Sequence, residues 1–314
     1  MASDAATAAG PKSLSGLHLL LTYECNYACD HCFTWGSPSQ RGTMSLDAVH
    51  RILDAAVTLG SIEWIYFEGG EAFLYYDTML AGVLAARERG FHVGIVSNAF
   101  WADDEVEAER WLRPLAAHVE DLSISSDGYH GSPDKARNPR TARGVATRLG
   151  IPVDFIAVAE PGAGRAAGAA GKLPPGESAV MFRGRAAALL ASRVAGRPWE
   201  ELDTCPWEEL RYPDRIHVDP FGNLHVCQGI SIGNLFERPL GEIIAAYRPE
   251  EHPVVGPLLA GGPAELSRRH QVPPAVCYAD HCHFCYETRR ALRKRFPDEL
   301  APDQMYGSDR NDRS

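Results

Sequence analysis

Three cysteines stand within eight residues of one another in Cys25-Asn26-Tyr27-Ala28-Cys29-Asp30-His31-Cys32. Thiolates are soft ligands, suited to iron–sulfur clusters or to zinc. A closed structural site takes four protein ligands, and no fourth cysteine lies near this C-x3-C-x2-C loop. The loop therefore predicts a cubane cluster with one iron left open to bind a substrate or cofactor. The alternative is a zinc knuckle with His31 or His18 as fourth ligand, although the spacing differs from that of common zinc fingers. Five more cysteines, Cys205, Cys227, Cys277, Cys282 and Cys285, follow after about 170 cysteine-free residues. An unexported chain does not build a disulfide frame, so the two groups predict two separate metal or redox sites on one scaffold.

Composition bounds the kind of molecule that holds them. The chain has 314 residues, 45% hydrophobic and 23% charged, which excludes wholesale disorder and fibrous repeats. Lys plus Arg is 31 against 41 for Asp plus Glu, a net charge of −10. So acidic a chain predicts no nucleic-acid partner. No apolar run approaches the ~20 residues that a membrane span needs. Residues 1–16 are Ala/Ser/Gly-rich, with one lysine and no apolar h-region, and read as a short mobile tail rather than a signal peptide. The expectation is a soluble, cytoplasmic protein without a membrane partner.

The elements that must position the cysteines alternate. Leu17 to Leu21 reads as a buried strand ending just before the first cysteines. Ser45 caps a helix with Leu46, Val49, Leu53 and Ala56 on one face, and Gly60 stops it. Ile62 to Phe67 is the next strand, followed by Gly69-Gly70 and a helix from Asp77 to Arg89. Phe91 to Ser97, Asp121 to Ser125 and Pro152 to Val158 read as further strands, with a helix over Asp103 to Leu115. Pro161 to Gly176 is a Gly/Ala/Pro-rich mobile loop. Val180 to Arg183 is read as a sixth strand, with a helix from Ala186 to Ala191 behind it. Strand–helix alternation implies parallel βαβ units, whose sites gather at the carboxyl ends of the strands. Each distinctive motif falls at such an end. From about Trp199 the texture changes. Ile216-His217-Val218 and Leu224-His225-Val226 flank Asp219-Pro220-Phe221-Gly222-Asn223 as a β-hairpin, followed by Pro-rich loops and a basic helix through Arg289, Arg290, Arg293, Lys294 and Arg295. The expected division is a tail over 1–16, an α/β unit over 17–199 and a smaller C-terminal domain over 200–314.

The cysteine loop after the first strand resembles the signature of the radical S-adenosylmethionine (radical SAM) enzymes, C-x3-C-x-aromatic-C, with His31 at the aromatic position. The resemblance implies an α/β fold, a partial (β/α)6 TIM-like barrel, with a C-terminal auxiliary-cluster domain of the SPASM/twitch type. It implies that Cys25, Cys29 and Cys32 hold a 4Fe–4S cluster whose open iron chelates S-adenosylmethionine. Reductive cleavage would then give a radical that abstracts a hydrogen atom from the substrate, with the protein supplying orientation. Glu68-Gly69-Gly70-Glu71 is similar to the family's GGE motif, so Gly69, Gly70 and Glu71 would contact the cofactor, Glu71 accepting from its amine; an ordinary turn is the alternative. Ser97 with Asn98, and Ser125 with Ser126 and Asp127, resemble cofactor-contacting strand ends, or cap the next helix. Arg183 and Arg185 would pair with a carboxylate bidentately, or form a surface pair.

Gly222-x4-Cys227 with Cys205 upstream, then Ile232-Gly233-Asn234-Leu235 and Cys282-x2-Cys285, resembles the twitch form. By that resemblance Cys205, Cys227, Cys282 and Cys285 ligate a second, auxiliary 4Fe–4S cluster. Structural zinc involving His281 or His283 is the competing reading. Cys277 is left over, as a buried packing residue, a ligand in place of a neighbour, or a catalytic hydrogen-atom donor. An electron donor such as flavodoxin or ferredoxin is implied. The substrate expected is a small polar metabolite, a sugar or aminocyclitol, oxidised or epimerised, because the chain leaves no room for a peptide-recognition domain before Leu17. The alternatives are a ribosomal precursor peptide and a non-catalytic metal-binding scaffold.

Overall fold

The computed structural model describes residues 14–130, 135–161 and 178–307. Residues 1–13 of the expected tail and nearly all of the Pro161–Gly176 insert lie outside the described residues. Leu14 and Ser15 do not: Ser15 N–H donates to Asp214 O, and the first strand already begins at Gly16.

Five parallel strands form one side of an open sheet: β1 (Gly16–Thr22), β2 (Trp64–Gly69), β3 (His92–Ser97), β4 (Asp121–Ser125) and β5 (Val153–Ile156). They lie in the order β5-β4-β3-β2-β1, each crossing back through a helix. The helices are α1 (Leu46–Leu59), α2 (Tyr76–Glu88), α3 (Glu105–Leu112) and α4 (Asn138–Arg148). Ser45 caps α1 by accepting from Ala48 N–H, and Gly60 closes it at φ 77°, a conformation glycine adopts without strain. Sheet residues alternate. Ile65, Phe67, Val93, Ile95, Leu122 and Ile124 are buried against the helices, whereas Trp64, Tyr66 and Glu68, like Asp121, Ser123 and Ser125, are half-buried on the lumen face. The parallel partial-barrel architecture is the one expected.

The structure departs from the expected elements in three places. No strand forms over Val180 to Arg183; the sixth parallel strand is β7 (Arg215–Val218), which joins the opposite edge by pairing with β1. It opens the expected hairpin with β8 (Asn223–Cys227), and β9 (Ile230–Asn234) follows antiparallel. The sheet therefore runs without a break from the barrel into the C-terminal part. Second, the helix α4 carried no clear signal, since Ala142, Val145 and Ala146 alone make up its buried hydrophobic side. Third, the Pro-rich stretch after the hairpin is helical over Leu240–Ala246 and Val255–His270, the latter kinked at Gly261-Gly262-Pro263. Proline tolerates the first turn of a helix, and Pro257 lies near the start of that helix, so proline content concealed it.

A short ribbon of β6 (Arg197–Pro198) and β10 (Cys277–Tyr278) and a helix over His281–Leu292 complete the C-terminal part. That helix ends at Leu292 rather than running through Arg295, and Arg289 on it is buried at 2% exposure while Arg290 is exposed. Among the described residues no helix is long and apolar enough to cross a membrane.

Candidate functional site

The first cysteine group lies where β1 gives way to loop, at the carboxyl end of the sheet. Cys25 is buried, while Cys29 and Cys32 are partly exposed. The loop is pinned by backbone: Cys25 N–H donates to Ser37 O at 3.1 Å and Cys32 N–H to Cys29 O at 3.1 Å. Gly36 N–H points at Cys32 Sγ, 3.2 Å away, and Tyr27 N–H at Cys25 Sγ, 3.4 Å away. Such donors stabilise thiolate over thiol. Burial works in the opposite direction and pushes the Cys25 thiol up to about 12, with Cys29 raised as well by burial and by Cys32 and Cys25 beside it. Ligand thiols gathered this way ionise when a metal supplies the positive charge.

Gly69 and Gly70 serve this loop directly. Gly70 N–H donates to Thr22 O at 2.6 Å and Glu71 N–H to Glu24 O at 3.0 Å. A Cβ on Gly69 would overlap Thr22 O, and one on Gly70 would overlap Glu24 O. Both glycines therefore bring the end of β2 against the cysteine loop. The Glu71 carboxylate is buried and accepts from Phe73 N–H (3.1 Å), Ser97 Oγ–H (2.9 Å) and Asn98 N–H (2.8 Å). Burial nevertheless pushes it up to about 7. Ser97 spends its hydroxyl on Glu71 while accepting from Ala99 N–H and Trp101 Nε1–H. Asn98 reaches the loop itself, its Nδ2 lying 2.9 Å from Asn26 Oδ1 and 3.7 Å from Cys25 Sγ. Ser97 and Glu71 are thus the brace behind Asn98.

His31 stacks on Tyr129 at 4.5 Å, with Nε2 3.6 Å from Asp127 Oδ2, and burial lowers it to about 4. Asp127 also takes His130 Nδ1 at 2.7 Å and the N–H groups of Tyr129 and Val158. These bonds join the end of β4 to the cysteine loop. Ser125 is half-buried at the same strand end.

The second group is assembled from distant segments. Cys205, Cys227, Cys282 and Cys285 line one cavity of about 410 Å³, its open mouth included, together with Arg183, Glu208, His281 and Arg289. Burial pushes Cys205 up to about 12 and raises Cys282 and Cys285. Two guanidinium groups oppose that. Arg183 Nη1 lies 3.3 Å from Cys227 Sγ and 2.9 Å from Glu208 Oε1. Arg289 donates to Gln228 O and Tyr306 Oη, both neutral, and no carboxylate pairs with it among the described residues. The Nε atoms of both arginines are buried without a hydrogen-bond partner. A buried cation without an anion is costly, so the cavity is complete only when something anionic fills it. A thiolate-ligated cluster fits that requirement.

Zinc fits less well. Tetrahedral zinc holds sulfur ligands about 3.8 Å apart, from Zn–S bonds of about 2.3 Å. No group of three His, Cys, Asp or Glu ligand atoms within 4.8 Å of one another contains a cysteine, among the described residues. His283 Nδ1 already takes Ala279 N–H at 3.1 Å.

Arg183 and Arg185 diverge. Arg183, expected to meet a cofactor carboxylate, turns to the second group. Arg185 donates to Cys29 O, Trp35 O and Gly36 O at 2.7–3.0 Å and holds the first loop. Gly184 between them packs at φ 60° directly on the Phe33 backbone. Sequence reasoning missed this clasp, as it missed Arg289. Cys277 is exposed on the β6–β10 ribbon and does not line the four-cysteine cavity, so it is not the buried packing residue expected.

Residues 19–152 match the Radical SAM superfamily. The chain is 28% identical over 113 residues to YydG of Bacillus subtilis, a protein named for peptide biosynthesis, which covers 35% of each chain. It is 34% identical over 82 residues to an S-adenosylmethionine-dependent nucleotide dehydratase of Selenomonas ruminantium, covering 26% of this chain and 29% of that one. The chain thus spans about a third of the length of the curated relatives it matches. Among solved structures, anSMEcpe with bound AdoMet and Cp18Cys peptide superposes with a TM-score of 0.51 at 14% identity, covering 91% of this chain and 97% of that chain. Streptococcus suis SuiB bound to precursor peptide SuiA gives 0.50 at 12% identity, covering 81% and 70%. At such identity the likeness is one of fold.

Proposed function

We propose that this chain is a radical SAM enzyme in which Cys25, Cys29 and Cys32 hold a 4Fe–4S cluster that binds S-adenosylmethionine at its open iron. The observation that carries the reading is the three-cysteine loop at the carboxyl end of β1, clamped by Gly69 and Gly70 at the end of β2. When bound, the cluster and cofactor supply a one-electron cleavage that yields a radical able to take a hydrogen atom from carbon. The chain's own residues orient and exclude. Asn98 and the N–H groups of Tyr27 and Gly36 hold the sulfurs, Arg185 fixes the loop carbonyls, and Asp127 holds His31. Ser125 and Glu71 remain candidate cofactor contacts beside them.

Cys205, Cys227, Cys282 and Cys285 would ligate an auxiliary 4Fe–4S cluster in a C-terminal domain over 200–314, after a barrel domain over 17–199. Arg183 and Arg289 fit its negative charge. A donor such as flavodoxin or ferredoxin would deliver the electron, and thiolate-ligated sites of this kind suit the reducing cytoplasm. The half-buried polar lumen of His18, Tyr66, Glu68, Asp121, Ser123 and Ser125 supports a small polar substrate. Similarity to YydG favours a second reading, a peptide substrate.

The test is anaerobic reconstitution followed by reduction with S-adenosylmethionine present. Formation of 5′-deoxyadenosine is expected. Iron binding without any cofactor cleavage would leave a metal-binding scaffold and sink the enzymatic reading.

A further inference from the structure

One cluster of ligating side chains takes no part in either cysteine group. His18 on β1, Glu68 on β2 and His217 on β7 come from three adjacent strands, His18 and His217 being direct partners in the β1–β7 register. We propose that His18, Glu68 and His217 form a binding site for a divalent transition-metal ion of the zinc type, facing the barrel lumen.

The distances carry it. Glu68 Oε2 lies 3.5 Å from His18 Nδ1, and Glu68 Oε1 lies 3.1 Å from His217 Nε2. All three ligand atoms lie within 4.8 Å of one another. Zinc bonds to imidazole nitrogen and carboxylate oxygen are about 2.0–2.2 Å, which sets tetrahedral neighbours about 3.3–3.5 Å apart. The two histidine–carboxylate separations thus already stand near the edge lengths of such a site, one through each oxygen of Glu68. Two imidazoles and one carboxylate leave a coordination position open, the count found where a metal meets a ligand rather than bracing a fold. The side chains are 17%, 15% and 11% exposed, so an oxygen donor from water or substrate reaches that position.

A second observation is independent of the first. Gln228 is buried, its Nε2 sits 3.3 Å from His217 Nε2, and its Oε1 has no hydrogen-bond partner. If His217 Nε2 donates to Glu68, it faces the Gln228 amide donor to donor. If it accepts from Gln228, its lone pair faces the carboxylate. Neither arrangement satisfies all three groups. Turned over, the Gln228 amide presents its oxygen to this site, where it accepts from His217 Nε2–H in the empty site and faces the cation when His217 Nε2 and Glu68 hold one. The His18 ring is already fixed, stacked on Tyr66 at 4.5 Å with its centroid 4.9 Å from that of His217.

The site is tested on the cluster-loaded full chain by equilibrium dialysis against zinc chloride, with zinc and iron counted separately. Wild type should retain about one zinc beyond its iron, and Glu68→Gln and His217→Asn should each weaken zinc binding at least tenfold. A Cys25, Cys29, Cys32 triple alanine variant should keep that zinc, which separates this site from zinc on the first cysteine loop and keeps the result independent of the radical reading, while loss of zinc in the Glu68 and His217 variants separates it from zinc on the C-terminal cysteines. His18→Asn serves as the third probe should either other variant fail to fold, judged by circular dichroism. Wild type retaining no zinc, or folded lumen variants retaining as much as wild type, would overturn the assignment.

Discussion

The two cysteine sites solve the same electrostatic problem by different means. In the first, three cysteines come from one eight-residue loop, and backbone groups do the stabilising: N–H donors from Tyr27 and Gly36, and two glycines that let β2 close on the loop. In the second, four cysteines come from segments up to 80 residues apart, and the stabilisation is by whole charges, Arg183 and Arg289, buried beside them. A contiguous loop fixes its own geometry, so backbone donors at the sulfurs suffice, with the Arg185 guanidinium spent on the loop carbonyls. A site assembled from separate elements gathers sulfurs with no local chain constraint, and it needs full countercharge to keep them together. The Arg183-Gly184-Arg185 clasp touches both, one arginine to each.

The comparison breaks first at the ligands. Replacing Cys25, Cys29 and Cys32 together by Ala should remove about four of about eight irons and abolish 5′-deoxyadenosine formation, read by iron assay and chromatography. Cofactor cleavage surviving in that variant would refute the role given to the loop.

Arg289→Gln removes countercharge from the second site alone. Iron should fall from about eight towards about four per chain while cofactor cleavage persists. An equal loss from both sites would mean that Arg289 supports the fold at large rather than one cluster.

Gly70→Ala tests the other mode. Its Cβ would overlap Glu24 O, and overpacking of this kind costs about 1–3 kcal/mol. The melting temperature should drop, and the first cluster should become the more labile on air exposure, followed by its absorbance.

Cys277→Ala should have the smallest effect. The residue is exposed and outside the four-cysteine cavity, and surface substitutions usually stay within about 0.5 kcal/mol. Iron content and stability should match wild type. Product analysis then sharpens the chemistry: normal cofactor cleavage with no closed-shell product would make Cys277 the hydrogen donor and favour epimerisation over oxidation.

The sequence by itself determined whatever is local. The C-x3-C-x2-C loop, the Ser45 cap, the Gly60 stop and the Asp219–Asn223 turn each depend on residues a few positions apart, and each is where spacing put it. The order of β1 to β5 follows too, since strand–helix alternation leaves few topologies. Tertiary structure decided the rest. Nothing near Arg289 in the chain distinguishes it from its charged neighbours Arg290 and Arg293; the Gln228 carbonyl and the Tyr306 hydroxyl make it a buried cation. Arg183 and Arg185, two residues apart, face different sites because Gly184 turns the chain over Phe33. His18 and His217 lie 199 positions apart and meet because β7 pairs with β1. Long-range pairing gathers such groups, and their charges act through space over a few ångströms, a distance that sequence separation does not encode.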